Sequence, residues 1–287
     1  MFNVLIAERA SSKKVFGTIL FGSNLIFTFG GVLIPTLGYL LLDVVGWRFF
    51  VLMASLPVFV PAILILHFFM VAPLSYVSDC ESEVKFQSAH KVPDSITRIC
   101  KMSIFKAALT YHGWGTILLL PSLIQLSNTT EAEQSCTHCE AVTEEFPALA
   151  LANGAAILGG LVAIKMRKRV NFRLVFTLLA ATNVLSYTAL FLIEQNLIII
   201  VITSISVMFS YGMTQMAASY IMYDERYFGT RNLTLACGIT TGIGMVGGAS
   251  GATVASLATP WIAVISGLAV SVVEIIVTMS MSEQDQL

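Results

Sequence analysis

Apolar residues in this chain come in long unbroken runs rather than at strand or amphipathic-helix spacing. Eight windows, 15–42, 49–71, 107–126, 146–164, 174–193, 197–223, 232–258 and 260–280, are apolar over roughly 19 residues or more. Seven hold no Asp, Glu, Lys or Arg, and the eighth holds only Glu274. An α-helix of about 20 apolar residues crosses the hydrocarbon layer of a bilayer, with its backbone polar groups paired inside the helix. The pattern therefore predicts an all-α, integral multi-pass membrane protein of about eight transmembrane helices. The apolar start is short and has no basic flank, so no cleavable signal peptide is expected.

Charge sharpens this picture. Only 11% of the 287 residues are charged, less than half of the roughly 25% typical of a water-soluble domain. A formal net charge of −1 gives no electrostatic basis for a nucleic-acid partner, and the lipid bilayer is the partner expected. Suppose residues 8–14 face the cytoplasm and the helices alternate. The cytoplasmic segments then hold Arg9, Lys13 and Lys14; Lys85, Lys91, Arg98, Lys101 and Lys106; Lys165, Arg167, Lys168, Arg169 and Arg173; and Arg226 and Arg231. That is 15 of the 16 Lys and Arg residues, with Arg48 alone outside. The positive-inside bias selects this orientation, with both termini cytoplasmic in a plasma or intracellular-vesicle membrane.

Between the windows, the connection 77–106 is polar, carries Pro93 and is expected to hold a short surface helix from about Asp94. The other side of the membrane has one sizeable loop, 127–145, acidic and without Lys or Arg. Its Asn128-Thr129-Thr130 is a glycosylation candidate on the lumenal or extracellular side. Cys136-Thr137-His138-Cys139 offers three soft ligands where a closed zinc site takes four, so no metal and no cofactor are expected. In an oxidising compartment a disulfide of Cys136 and Cys139 is the commoner outcome, with free thiols the alternative. Cys80, Cys100 and Cys237 are expected to be reduced.

The densest charge in the chain is Tyr220–Asn232, YIMYDERYFGTRN, where Asp224, Glu225, Arg226 and Arg231 separate two apolar windows. A weaker counterpart, Ala7-Glu8-Arg9 followed by Lys13-Lys14, precedes the first window. Paired units of this kind point to an internally repeated transporter fold. With Gly46-Trp47-Arg48, Ala54-Ser55-Leu56-Pro57, the loop bearing Cys136 and Cys139, and Glu145-Phe146-Pro147, they follow in an order that resembles the major facilitator superfamily. The branch it resembles is that of the organic-ion transporters and synaptic-vesicle-two-related proteins.

Glu225, Tyr227 and Arg231 match the motif that follows the family's tenth helix. Phe228 and Gly229 stand in place of its proline, and the spacing to Arg231 is one residue shorter. Pro73-Leu74-Ser75 keeps part of the motif after the sixth helix, and loop 165–173 lacks the usual Asp and Gly. The resemblance implies helices five to twelve of a twelve-helix fold. Residues 1–76 would carry the end of the fourth helix and the whole of the fifth and sixth, 77–106 a cytoplasmic linker, 107–280 a six-helix C-terminal bundle, and 281–287 a cytoplasmic tail. It further implies a cytoplasmic hinge at Glu8, Arg9, Glu225 and Arg231, and alternating-access transport of a small organic solute or ion, with or without a coupling ion. The alternative is a truncated, non-transporting membrane or vesicle protein that acts as an interaction partner.

Polar side chains inside a bilayer are costly and mark functional paths by default. Tyr111-His112-Gly113-Trp114 suits stacking, cation–π contact or hydrogen bonding to an organic ion, and equally an aromatic packing patch. Asn153 and Gln215 are further substrate-path candidates, and each also suits an interhelical hydrogen bond, as do Asn24, Asn183 and Tyr211. Glu274 reads either as a cation or proton site or as a residue near the cytoplasmic end of the last helix that snorkels or faces lipid. The second reading is the expectation, since no partner for it is evident. Gly238/Gly242, Gly244/Gly248 and Gly247/Gly251 form small-x-x-x-small pairs that predict close helix packing. No nucleophile elbow, phosphate loop or zinc-binding helix is present, so no enzyme is expected.

Overall fold

The computed structural model describes residues 28–42, 44–53, 55, 95–131, 138–166, 171–193, 196–222, 225–228 and 233–281. Every regular element among them is an α-helix: α1 (Thr28–Leu42) and α2 (Val44–Met53), then α3 (Ser95–Glu131), α4 (His138–Met166), α5 (Phe172–Leu192), α6 (Leu197–Met222), α7 (Glu225–Phe228), α8 (Leu233–Leu257) and α9 (Pro260–Ser280). Six of them, α3, α4, α5, α6, α8 and α9, are long and apolar enough to cross a membrane. The regular structure of the described residues is thus all helical, and by length and composition the chain is a multi-pass membrane protein. The first two predicted windows show only the shorter helices α1 and α2, and their remainders lie outside the described residues.

Local chemistry sets where the helices begin. The Asn171 side chain accepts from the backbone N–H groups of Arg173 and Leu174 at 2.9 and 3.5 Å, capping α5. Asn196 does the same for α6 through Ile198 and Ile199, at 3.0 and 3.4 Å. Pro260 opens α9, at a position where a missing N–H costs nothing. Near the start of α2, Gly46 has φ 73°, a left-handed conformation that glycine enters without strain.

Two boundaries differ from the sequence expectation. Rather than a surface helix followed by a span from 107, α3 runs unbroken for 37 residues from Ser95. At 1.5 Å per residue it is about 55 Å long, well beyond the hydrocarbon layer. The loop expected over 127–145 is also shorter, because α3 continues to Glu131 and α4 starts at His138. Polar residues at a membrane exit continue a helix as readily as they end it, so the apolar window understates helix length.

Around α3 the other spans assemble: it packs against α4, α6, α8 and α9, while α5 lies against α6 and α9. Glycines bring two pairs of backbones together. A Cβ on Gly212 of α6 would lie 1.9 Å from the Ala156 carbonyl oxygen of α4, and one on Gly247 of α8 would lie 2.2 Å from the Ala107 carbonyl oxygen of α3. Without those side chains the helices approach to backbone contact, where dispersion and weak Cα–H···O contacts accumulate. Outward-facing Leu151, Leu158, Leu178, Leu185, Ile202 and Ile276 are exposed, an apolar coat suited to lipid.

One end of the bundle is basic. Lys101 donates to the carbonyl of Ser280, and an Arg173 Nη donates to the carbonyl of Met279 at 2.6 Å, so two cations satisfy the last carbonyls of α9. At the same end, an Arg98 Nη donates to the Tyr227 carbonyl at 3.1 Å and its guanidinium lies 5.5 Å from that ring's centroid. Tyr227 and Phe228 are buried among Met102, Phe105, Ile221 and Cys237, which anchors the four-residue α7 to the bundle. At the far end, Gln125 donates to Glu145 at 2.8 Å, joining α3 to α4.

Candidate functional site

The four consecutive residues Tyr111–Trp114 do not form one cluster. Successive residues of an α-helix point about 100° apart, and here each meets a different neighbour. Tyr111 reaches Ser266 of α9 (Oη to Oγ 2.5 Å), Gly113 lies under the Tyr211 ring of α6, and Trp114 packs on Gly248 of α8 and is partly exposed. His112 alone points into the seam between α3, α5 and α9, where it is 0% exposed.

That seam holds the acid of the last helix. Glu274 is 1% exposed, and its Oε2 lies 3.5 Å from His112 Nε2. It neither snorkels nor faces lipid, contrary to the expectation from sequence. The expectation failed because the helical period alone does not say which face of α9 meets α3. Ser271, one turn before Glu274, donates to the Gly267 carbonyl at 2.9 Å and places its oxygen 3.3 Å from the same imidazole nitrogen. On the other side of the ring, Nδ1 lies 3.2 Å from the Tyr187 hydroxyl of α5, which in turn lies 3.3 Å from Thr116 Oγ1. Asn183, one turn before Tyr187 on α5, is buried beside Glu274. Among the described residues the Asn183 Oδ1 and Glu274 Oε2 atoms have no hydrogen-bond donor.

A second polar place lies between α3, α6 and α8. Lys106, expected in the connecting segment outside the membrane, is instead in α3 and 6% exposed. Its ammonium donates to Gln215 Oε1 of α6 at 2.5 Å. The room for its stem comes from Gly244 of α8, where a Cβ would meet Lys106 Cγ at 2.8 Å. Thr110 donates to the Gly244 carbonyl at 2.5 Å, and Ser103 donates to Thr240 at 3.4 Å, so the α3–α8 contact is polar at two places, seven residues apart on α3.

The other candidates fall elsewhere. Asn153 donates to the Leu149 carbonyl of its own helix at 2.9 Å, and its amide oxygen lies against Gly31 of α1. It therefore belongs to the contact between α1 and α4. The Cys237 thiol donates to the Met222 carbonyl at 3.2 Å and is buried, while Cys100 is exposed; both are free thiols. Glu8, Arg9, Arg231 and Cys136 lie outside the described residues, as do the side chains of Asn128, Cys139 and Glu225. Of the three glycine pairs, Gly244/Gly248 and Gly247/Gly251 face α3, whereas Gly238 and Gly242 meet nothing within 4 Å. Among the described residues no three His, Cys, Asp or Glu side chains come together in a metal site.

Lys106, Tyr187, Ser271 and Thr116 were not singled out in the sequence. Lys106 had a readable signal, standing one residue before the apolar window 107–126 and so within a turn of membrane depth. The three hydroxyls had none, because Ser, Thr and Tyr occur throughout the spans. The chain matches no family model, no curated protein and no solved structure.

Proposed function

We propose that this protein is a membrane transporter that moves a small organic solute or ion by alternating access, with the architecture of helices five to twelve of the major facilitator fold. The observation that carries the reading is the Lys106–Gln215 contact. An amine buried at membrane depth has, among the described residues, a carboxamide rather than a carboxylate as its side-chain partner, so its polar head is left open to a further group. A solute bearing an anionic or strongly accepting group completes it.

Three further features support the reading. Gly31 and Gly38 of α1 lie against Asn153 and Phe146 of α4, so among the described residues the segment assigned to the N-terminal bundle meets the C-terminal one along one face of α1. A contact of that kind rocks more readily than an interlocked one. Backbone-to-backbone contacts at Gly212 and Gly247 hold helix pairs inside the C-terminal bundle together as rigid units. Arg98, Lys101 and Arg173 gather at one end, which we assign to the cytoplasm, and Arg98 on Tyr227 fixes α7, the helix that begins at the proposed hinge residue Glu225.

Uptake by the purified protein in liposomes tests this. A panel of small organic anions, cations and neutral solutes is offered, with Lys106→Gln, Gln215→Ala, Glu225→Gln and Arg231→Ala as controls. Saturable uptake above protein-free liposomes, reduced in the Lys106 and Gln215 variants, is the expected result. Stable insertion with no uptake of any solute in the panel would instead favour a non-transporting membrane protein.

A further inference from the structure

We propose that His112 and Glu274 form a proton-binding site inside the membrane, with Tyr187 and Thr116 as a hydroxyl relay that accepts either protonation state of the imidazole. Only the use of that proton to drive a solute rests on the transport reading; the site itself does not.

The argument is one of hydrogen-bond direction. Ser271 gives its hydroxyl proton to the Gly267 carbonyl, so its oxygen is an acceptor. His112 Nε2 therefore donates to Ser271 Oγ, and Glu274 Oε2 lies 3.5 Å from the same nitrogen without accepting from it. When the imidazole is neutral, Nδ1 accepts from the Tyr187 hydroxyl, and Tyr187 accepts from Thr116. When the imidazole is protonated, Nδ1–H donates to Tyr187, whose own proton turns to Thr116 Oγ1. Both arrangements use the same heavy-atom positions. A purely structural histidine needs one tautomer, whereas this one is housed for two charge states.

The carboxyl supplies the other half. With one proton between them the pair is net neutral, either as imidazole and carboxylic acid or as imidazolium and carboxylate. Without that proton a carboxylate is buried with only neutral groups around it, at a cost of several kcal/mol. The Asn183 side chain is hydrogen-bonded to Glu274, with the amide as donor, yet Glu274 Oε2 itself has no hydrogen-bond partner, so a proton on that oxygen removes a buried charge that the neutral amide does not balance. The ionisable groups that face the pair are Tyr187 of α5 and, ring edge to ring, Tyr111 of α3, whose hydroxyl is held by Ser266. Arg173 and Lys101 are occupied at the end of α9, about 9 Å or six residues beyond Glu274. Lys106 faces α6 instead, and Cys237 of α8 is held at the Met222 carbonyl. Among the described residues no cation neutralises Glu274 directly, and a proton is the counter-charge the geometry provides.

The test is spectroscopic and needs no solute. In the reconstituted protein, the infrared carboxylic C=O band and the nitrogen resonances of a selectively labelled His112 are followed against pH. Expected are a carboxylic band that disappears in Glu274→Gln, a His112 signal that changes over the same pH range, and a shift of about 1 pH unit or more in each when the other residue is replaced, by Glu274→Gln or His112→Asn. Titrations of the two residues that ignore one another, or a carboxyl and imidazole that stay unchanged while the protein remains folded, overturn the proposal. Glutamate-labelled wild-type protein, whose carboxylic band must shift in heavy water, serves where a variant does not fold. Solute uptake is scored separately. Uptake without pH dependence removes the coupling and leaves the site, and absent uptake removes transport while the titration still decides the site.

Discussion

Tyr187 shows how much a single hydroxyl holds in this protein. Its oxygen, on α5, meets both His112 and Thr116 of α3, and its ring fills the space that Gly267 leaves on α9. Tyr187→Phe keeps the ring and removes the hydroxyl, leaving an imidazole nitrogen and a threonine short of a partner in a dry interior. A loss of about 1–3 kcal/mol is expected, read as a lower unfolding midpoint in detergent. An unchanged midpoint would mean that the hydroxyl makes neither contact. Glu274 was legible as an anomaly, the only acid in a long apolar run, but its partner was not. His112 and Glu274 are 162 positions apart, and nothing local to either residue says that α3 and α9 pack together.

At the scale of helices, glycine position separates contact from vacancy more sharply than glycine spacing does. Gly242 and Gly247 belong to the same small-residue run on α8, yet only Gly247 meets a neighbouring backbone. Gly212→Ala forces a Cβ into the Ala156 carbonyl and is expected to cost about 1–3 kcal/mol by prising α4 from α6. Gly242→Ala enters open space and is expected to leave stability unchanged or raise it by up to about 1 kcal/mol through helix propensity. Unfolding midpoints of the two variants, measured side by side, check the contrast; equal losses would refute the packing of α8 and α6 described above. The existence of the six long helices was readable from windows with no charge or, for α9, a single one, because length and apolarity are local properties. Their ends were not, since α3 carries Lys101 and Lys106 within a helix that polar composition alone assigns to a loop.

For the molecule as a whole, orientation and mechanism are separate claims. The basic end carries exposed Cys100, so a membrane-impermeant thiol reagent is expected to label Cys100 only from the cytoplasmic side, in protein lacking the other cysteines. Labelling from the opposite side would reverse the topology. Alternating access is tested most directly at the proposed solute contact, without knowing the solute. Gln215→Cys, in a background otherwise free of cysteine, is exposed to an impermeant thiol reagent in intact cells and in inverted vesicles. A site that opens in turn to each side predicts modification in both preparations. Modification in one alone, or in neither while the protein remains folded, would contradict transport by this chain.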